Sequence, residues 1–232
     1  MDFYSRTQAP VSTGTSVVGL AFDGGVIIAA DTLASYGSLA RFRTVPRVLN
    51  VNNQTVLGCG GDYADFQQLS ASIEQKQIDE ECHADGFGMT PKSIYSWLTR
   101  VQYNKRSKFD PFWTFWVVGG LEQDHENGGE AKPFLGYVDM LGTAYKDKAI
   151  ATGYGAYIAI PLLRQLSERQ GPVTEAEARA KIEECMRVLY CRDARSLPKY
   201  HIAVVTSTGS KIEGPIEIDA EWNIAHYVKG YE

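Results

Sequence analysis

The order of apolar segments predicts a four-layer α-β-β-α sandwich, an α+β fold in which helix pairs cover the outer faces of two stacked antiparallel sheets. Two observations carry this: β-branched runs cluster at the start, middle and end of the chain, and an amphipathic helix pair separates each cluster from the next. A third is size. At 232 residues and 44% hydrophobic content, the chain supplies one sizeable core, and one folded domain is the default.

Residues 16–22 and 26–31 are apolar and flank Asp23-Gly24-Gly25, so a D-G turn joins them into a buried hairpin. Residues 47–51 and 55–59 form a second pair around the polar turn Asn52-Asn53-Gln54, giving four strands before any helix. After Gly60-Gly61 the period changes: Asp62 is an N-cap, and Phe66, Leu69, Ile73 and Ile78 track one helical face. Thr90-Pro91 opens a second helix, with Ile94, Trp97, Leu98 and Val101 at helical spacing. Residues 112–118 and 134–140 read as strands around an acidic loop at 122–132, with one further strand in 143–152.

Residues 155–169 read as a helix that Pro161 should bend. Thr174-Glu175-Ala176-Glu177 is a capping box, and Ile182, Cys185, Met186 and Leu189 form the stripe of the helix it starts. Residues 200–206, a turn at 207–210 and a short strand at 211–213 close the fold, leaving 215–232 as a tail.

Composition removes several function classes. A net charge of -5 does not provide the basic surface that nucleic acid or an anionic membrane requires. No run approaches the ~20 apolar residues of a membrane span, and the start lacks the basic-then-apolar pattern of a secretory signal, which predicts a place in the cytoplasm and nucleus. Cys59, Cys82, Cys185 and Cys191 form no C-x-x-C and read as reduced thiols, mostly in the core. His83, His125, His201 and His226 share no ligand spacing, so neither a metal nor a cofactor is expected. The basic run at 105–108 reads as a solvated helix C-terminus.

Some polar residues have more than one reading. Thr15 reads as a β-branched strand residue or as a nucleophile. Asp31, at a strand end, is either a turn-forming carboxylate or the buried partner of Arg47. Gly60-Gly61-Asp62 is a strand-to-helix turn whether or not anything binds there, and Asp193 with Ser196 suits a helix exit.

Gly14-Thr15-Ser16, the strand end at 28–31, the turn at 58–65 and the segment Tyr190-Cys191-Arg192-Asp193-Ala194-Arg195-Ser196 together resemble, in order and spacing, the beta subunits of the 20S proteasome. Residues 35–43, 61–66 and 136–142 are similar to the non-catalytic member at the seventh position of the beta ring. The resemblance implies the N-terminal-nucleophile hydrolase fold. In active members a threonine freed by cleavage after a glycine attacks through its hydroxyl, with its own α-amino group as base. By resemblance the supporting positions fall on Thr15, Asp31, Arg47, Gly61, Tyr154, Asp193 and Ser196, with Gly61 at the position whose backbone N–H lines the oxyanion site. Arg47 stands where active members have lysine, and its planar guanidinium does not place a compact ammonium beside the hydroxyl. Tyr154 stands where they have a small serine, and Tyr63 where a small pocket-lining residue is usual, which is expected to block substrate access.

The expectation is therefore a non-catalytic structural subunit that supports ring assembly and ring–ring contact for ubiquitin-dependent proteolysis, with no catalytic residue of its own. The alternative is an active threonine endopeptidase with Thr15 as its processed N-terminus. The implied division is an extension or propeptide at 1–14, the beta-type domain at 15–217 and an interface tail at 218–232, anchored by Trp222, Tyr227 and Tyr231. A propeptide cut between Arg6 and Thr7 is the candidate processing site. Implied partners are other beta subunits of the same and opposite ring and the alpha-ring subunits, with no nucleic acid and no membrane.

Overall fold

The predicted first hairpin forms in the computed structural model, which describes residues 10–86, 88–123 and 131–222. Strands β1 (Val17–Phe22) and β2 (Gly25–Asp31) pair with Phe22 opposite Gly25, leaving Asp23-Gly24 as a two-residue turn. Two short strands follow that the apolar pattern does not reveal, β3 (Ala34–Tyr36) and β4 (Leu39–Phe42), which pair only with each other. Six strands, not four, therefore precede the first helix. Lengths of three and four residues and mixed polarity leave β3 and β4 without a readable run.

The second predicted pair is β5 (Val48–Asn52) and β6 (Thr55–Gly61). Helix α1 (Tyr63–His83) starts at the Asp62 cap, whose carboxylate accepts the Ala64 and Asp65 amides; Phe66, Leu69 and Ile73 are buried, whereas Ile78 is exposed. Helix α2 (Pro91–Ser107) starts at the Thr90 cap and buries Ile94 and Leu98. Strands β7 (Thr114–Glu122) and β8 (Lys132–Val138) follow. Most of the acidic loop between them lies outside the described residues.

The single strand expected in 143–152 is two strands in different sheets. The short β9 (Ala144–Lys146) pairs with β8, and β10 (Ala149–Ala151) pairs with β1. The crossing lies at Asp147-Lys148, where the Asp147 amide donates to Leu135 of one sheet and the Lys148 carbonyl accepts from Ala21 of the other. Helix α3 (Gly155–Ser167) contains Pro161, and α4 (Glu175–Arg192) begins with the reciprocal Thr174–Glu177 capping box. Strands β11 (Lys199–Thr206) and β12 (Gly209–Glu217) close the fold. The strand thus runs past Pro215, where a tail was expected: the register shifts between Tyr200 and Ile202, placing Gly214-Pro215 at a bulge, and an edge strand accepts proline there.

Two five-stranded sheets result, in the orders β10-β1-β2-β11-β12 and β5-β6-β7-β8-β9. Alternation along each strand feeds two cores at once. Ile27 and Ala29 of β2 face α3 and α4, while Val26, Ile28 and Ala30 face the other sheet. Trp116 and Val118 of β7 pack toward α1 and α2, while Val117 points between the sheets. The expected sandwich is therefore present, with a core in each of its three interlayer spaces. Cys59 and Cys185 belong to these cores; Cys82 is exposed and Cys191 half-buried, so the thiols are not mostly core as expected.

Candidate functional site

One end of the intersheet space is polar. Ser16 enters β1, Asp31 ends β2, Arg47 precedes β5, and Asp193 terminates α4; all four are buried. Here the two readings of Asp31 resolve in favour of the ion pair. The Arg47 Nη2 group meets the Asp31 carboxylate directly and donates to the Ser16 carbonyl at 3.0 Å. Its Nε donates to the Asp31 carbonyl at 3.1 Å and its Nη1 to the Cys59 carbonyl at 3.4 Å. One guanidinium therefore ties the ends of β1 and β2 to β6 of the facing sheet. An ammonium, with three donors diverging from one atom, does not span this set. The second Asp31 oxygen accepts the Leu197 amide at 3.1 Å. Burial pushes the Asp31 carboxyl above its usual value, and Arg47 with the Leu197 amide pulls it back.

Thr15 sits beside this cluster. Its hydroxyl donates to Asp193 Oδ2 at 3.0 Å, while Oδ1 accepts the Arg195 amide at 2.9 Å. Arg47 makes no hydrogen bond to the Thr15 hydroxyl. The Thr15 nitrogen is here a peptide amide; the amine base of a threonine nucleophile would form only on cleavage of the Gly14–Thr15 bond, and carboxylates as a class are weak bases toward an alcohol. The recess on the Asp31 and Ser196 side of Thr15 holds only about 10 Å³ of free space.

Gly61 is engaged as well. Its amide donates to the Gly14 carbonyl at 2.9 Å, and the Gly14 amide returns a bond to the Gly61 carbonyl at 3.0 Å, an antiparallel bridge. Gly61 adopts φ +101, and a Cβ there would lie 2.1 Å from the Trp113 carbonyl, so only glycine fits. The segment before Thr15 is held on two further sides: the Ser35 amide donates to the Thr13 carbonyl at 2.8 Å, and the Val11 amide to Asp62 at 3.2 Å. The donor that the resemblance assigns to an oxyanion is thus occupied by the chain's own carbonyl.

The remaining expected positions lie further out. Tyr154 is the first residue at the α3 N-terminus and is 58% exposed; it caps nothing with its side chain. Ser196 donates to the Asp193 carbonyl at 2.7 Å and so satisfies the end of α4. Tyr63 packs on Phe66 with ring centroids 5.4 Å apart. It forms one wall of a groove of about 740 Å³ and does not fill it, so Tyr63 does not provide the expected blockage. Trp222 rests edge-on against Tyr190 at 5.8 Å, while Arg6, Thr7, Tyr227 and Tyr231 lie outside the described residues.

Two members of the site had no sequence reading of their own. Thr152 accepts the Val17 amide at 2.9 Å and donates to the Thr15 carbonyl at 3.2 Å. Ser16 accepts the Gly155 amide at 3.0 Å, supplying the cap that α3 lacks. Their only sequence signal is a small hydroxyl at the edge of an apolar run.

The profile of the family described as "Proteasome subunit" matches residues 11–205. Among curated proteins, the chain is 53% identical over 227 residues to "Proteasome subunit beta type-4" of Xenopus laevis, covering 98% of this chain and 91% of that protein. It is 42% identical to the Drosophila melanogaster protein of the same name, over 97% and 82% of the two chains. It is 38% identical to "Proteasome subunit beta type-7" of Saccharomyces cerevisiae, over 97% and 86%. The four-layer sandwich, with a family profile over most of its length and relatives matching nearly end to end, places this chain in the proteasome subunit family, whose members build a proteolytic complex by assembling with one another.

Proposed function

We propose that this chain is a non-catalytic structural beta subunit of the 20S proteasome core. It supports ring assembly and ring–ring contact in ubiquitin-dependent protein degradation, in the cytoplasm and nucleus. The observation that carries the reading is the Arg47 guanidinium, which stands where active members have lysine: all its hydrogen bonds go to Asp31, Ser16 and Cys59, and none to the Thr15 hydroxyl.

In this role the chain lies between two different beta subunits and against the alpha ring. The propeptide cut at Arg6-Thr7 and a tail at 218–232 reaching the opposite beta ring belong to the same proposal.

The test is an intact-mass measurement on native core particles treated with a threonine-directed β-lactone. The expected mass retains the Gly14–Thr15 bond and carries no adduct. A chain that begins at Thr15 and bears the warhead would establish the threonine endopeptidase reading instead.

A further inference from the structure

The extended segment before Thr15 separates two hollows. Val11 and Thr13 line the groove beside Tyr63, while Ser12, Gly14 and Thr15 line a second cavity of about 720 Å³. The alternation is that of an extended chain, whose successive residues point to opposite sides.

The second cavity has a distinct chemistry. Phe115 and Tyr137 stand on its sheet side, and Tyr154 and Tyr157 on its α3 side; these last two are 58% and 80% exposed. Arg192 and Arg195 complete the rim, both exposed, and neither forms an ion pair among the described residues. The one carboxylate in the lining, Asp193, is buried and already accepts the Thr15 hydroxyl and the Arg195 amide. In a chain carrying 28 acidic against 23 basic side chains, two guanidiniums facing a hollow with no free acid form a local reversal of charge. Tyrosine and arginine are the residues that most often anchor protein interfaces, and arginine pairs with carboxylates through two parallel hydrogen bonds.

We propose that this cavity is a docking surface for an acidic peptide segment of an adjoining proteasome subunit, its carboxylates on Arg192 and Arg195 and an apolar side chain between Tyr154 and Tyr157. The proposal rests on the reading of the chain as an assembled subunit and adds the chemistry of one contact. It does not depend on whether Thr15 is silent.

The test places a photo-crosslinking phenylalanine analogue at Tyr157 in the full chain within purified core particles, and identifies the captured peptide by mass spectrometry. The expected product joins residue 157 to a peptide of another subunit bearing two or more Asp or Glu residues. Arg192→Glu with Arg195→Glu should lower its yield about tenfold, since opposed charges replace paired ones. A milder pair, Arg192→Gln with Arg195→Gln, serves if charge reversal prevents incorporation, with a smaller loss expected. Capture of a peptide without acidic residues, capture of residues 223–232 of this chain, no capture, or a yield unchanged in both pairs would each overturn the proposal. A warhead adduct on Thr15 with the acidic crosslink intact would overturn the non-catalytic reading alone.

Discussion

Two regions between the same pair of sheets are built on opposite principles. In the middle of the sandwich, Val17, Val26, Ile28, Val117, Leu135 and Val205 meet as apolar surface, where the favourable term is non-directional and any well-packed set of similar volume serves. At the Thr15 end, Ser16, Asp31, Arg47, Thr152 and Asp193 are equally buried but satisfied by directed hydrogen bonds. The first region tolerates rearrangement. The second has one solution, because a polar group removed from water without its partner costs more than its bond contributed. The lesson is that the buried polar residues at this end have a structural reason of their own, namely that Arg47 ties the ends of β1 and β2 to β6 of the facing sheet.

The largest expected effect breaks this contrast directly. Arg47→Met leaves the Asp31 carboxylate buried without its cation and should cost about 3–5 kcal/mol, against about 0.5–1.5 kcal/mol for Ile28→Val in the apolar region. Chemical denaturation of both variants checks the ratio, and Asp31→Asn added to Arg47→Met should restore part of the loss. Equal costs for Arg47→Met and Ile28→Val would remove the distinction between the two regions.

A smaller effect sharpens it at the boundary. A Cβ at residue 14 would lie 2.7 Å from Arg47 Cδ and 3.1 Å from Nη1, so Gly14→Ala pushes the guanidinium from its acceptors. The expected cost is about 1–3 kcal/mol, accompanied by faster amide exchange at Gly14 and Gly61. Unchanged exchange would mean that the bridge does not depend on Arg47.

The smallest effect concerns His201, on β11, whose Nδ1 is buried without a partner among the described residues. Burial holds its imidazole below the ordinary value, so the folded state favours the neutral ring. The sign follows: stability is full above the unfolded histidine value of about 6.5 and falls as pH drops through it, because the unfolded chain binds the proton more readily. His201→Phe should flatten thermal stability between pH 7 and 5, seen in melts at a series of pH values. A slope that persists in the variant would assign the dependence to other groups.

Three of the four helices among the described residues carry their start signal in consecutive residues: Asp62, Thr90 and the Thr174–Glu177 box all cap as read, whereas α3 was read from its apolar pattern alone. Strands β1, β2, β6 and β7 were legible because both faces are buried and their runs are unbroken, whereas the exposed edge strand β12 was read only in part. The short strands were not. The β3–β4 pair carries no run, and β9 and β10 looked like one strand because only the sheet partner distinguishes them. At the site, the Asp31–Arg47 pairing stood as one of two readings, while Thr152 carried no reading and Ser16 only its place in the Gly14-Thr15-Ser16 motif. A hydroxyl's role is set by what folds against it, across 135 residues in the case of Thr152 and Val17.

The sequence alone determined the layer order and the caps, since these depend on local periodicity and on residue type at short range, while the grouping of polar residues into one site came from the resemblance to proteasome beta subunits and was incomplete. Only the tertiary structure decided how that site is closed. Whether the Gly61 amide faces empty space or the Gly14 carbonyl, and whether Arg47 points at Thr15 or past it to Ser16, Asp31 and Cys59, depends on the approach of two sheets. Hydrogen bonds are directional and act over about 3 Å, so their partners are fixed by packing and not by order along the chain.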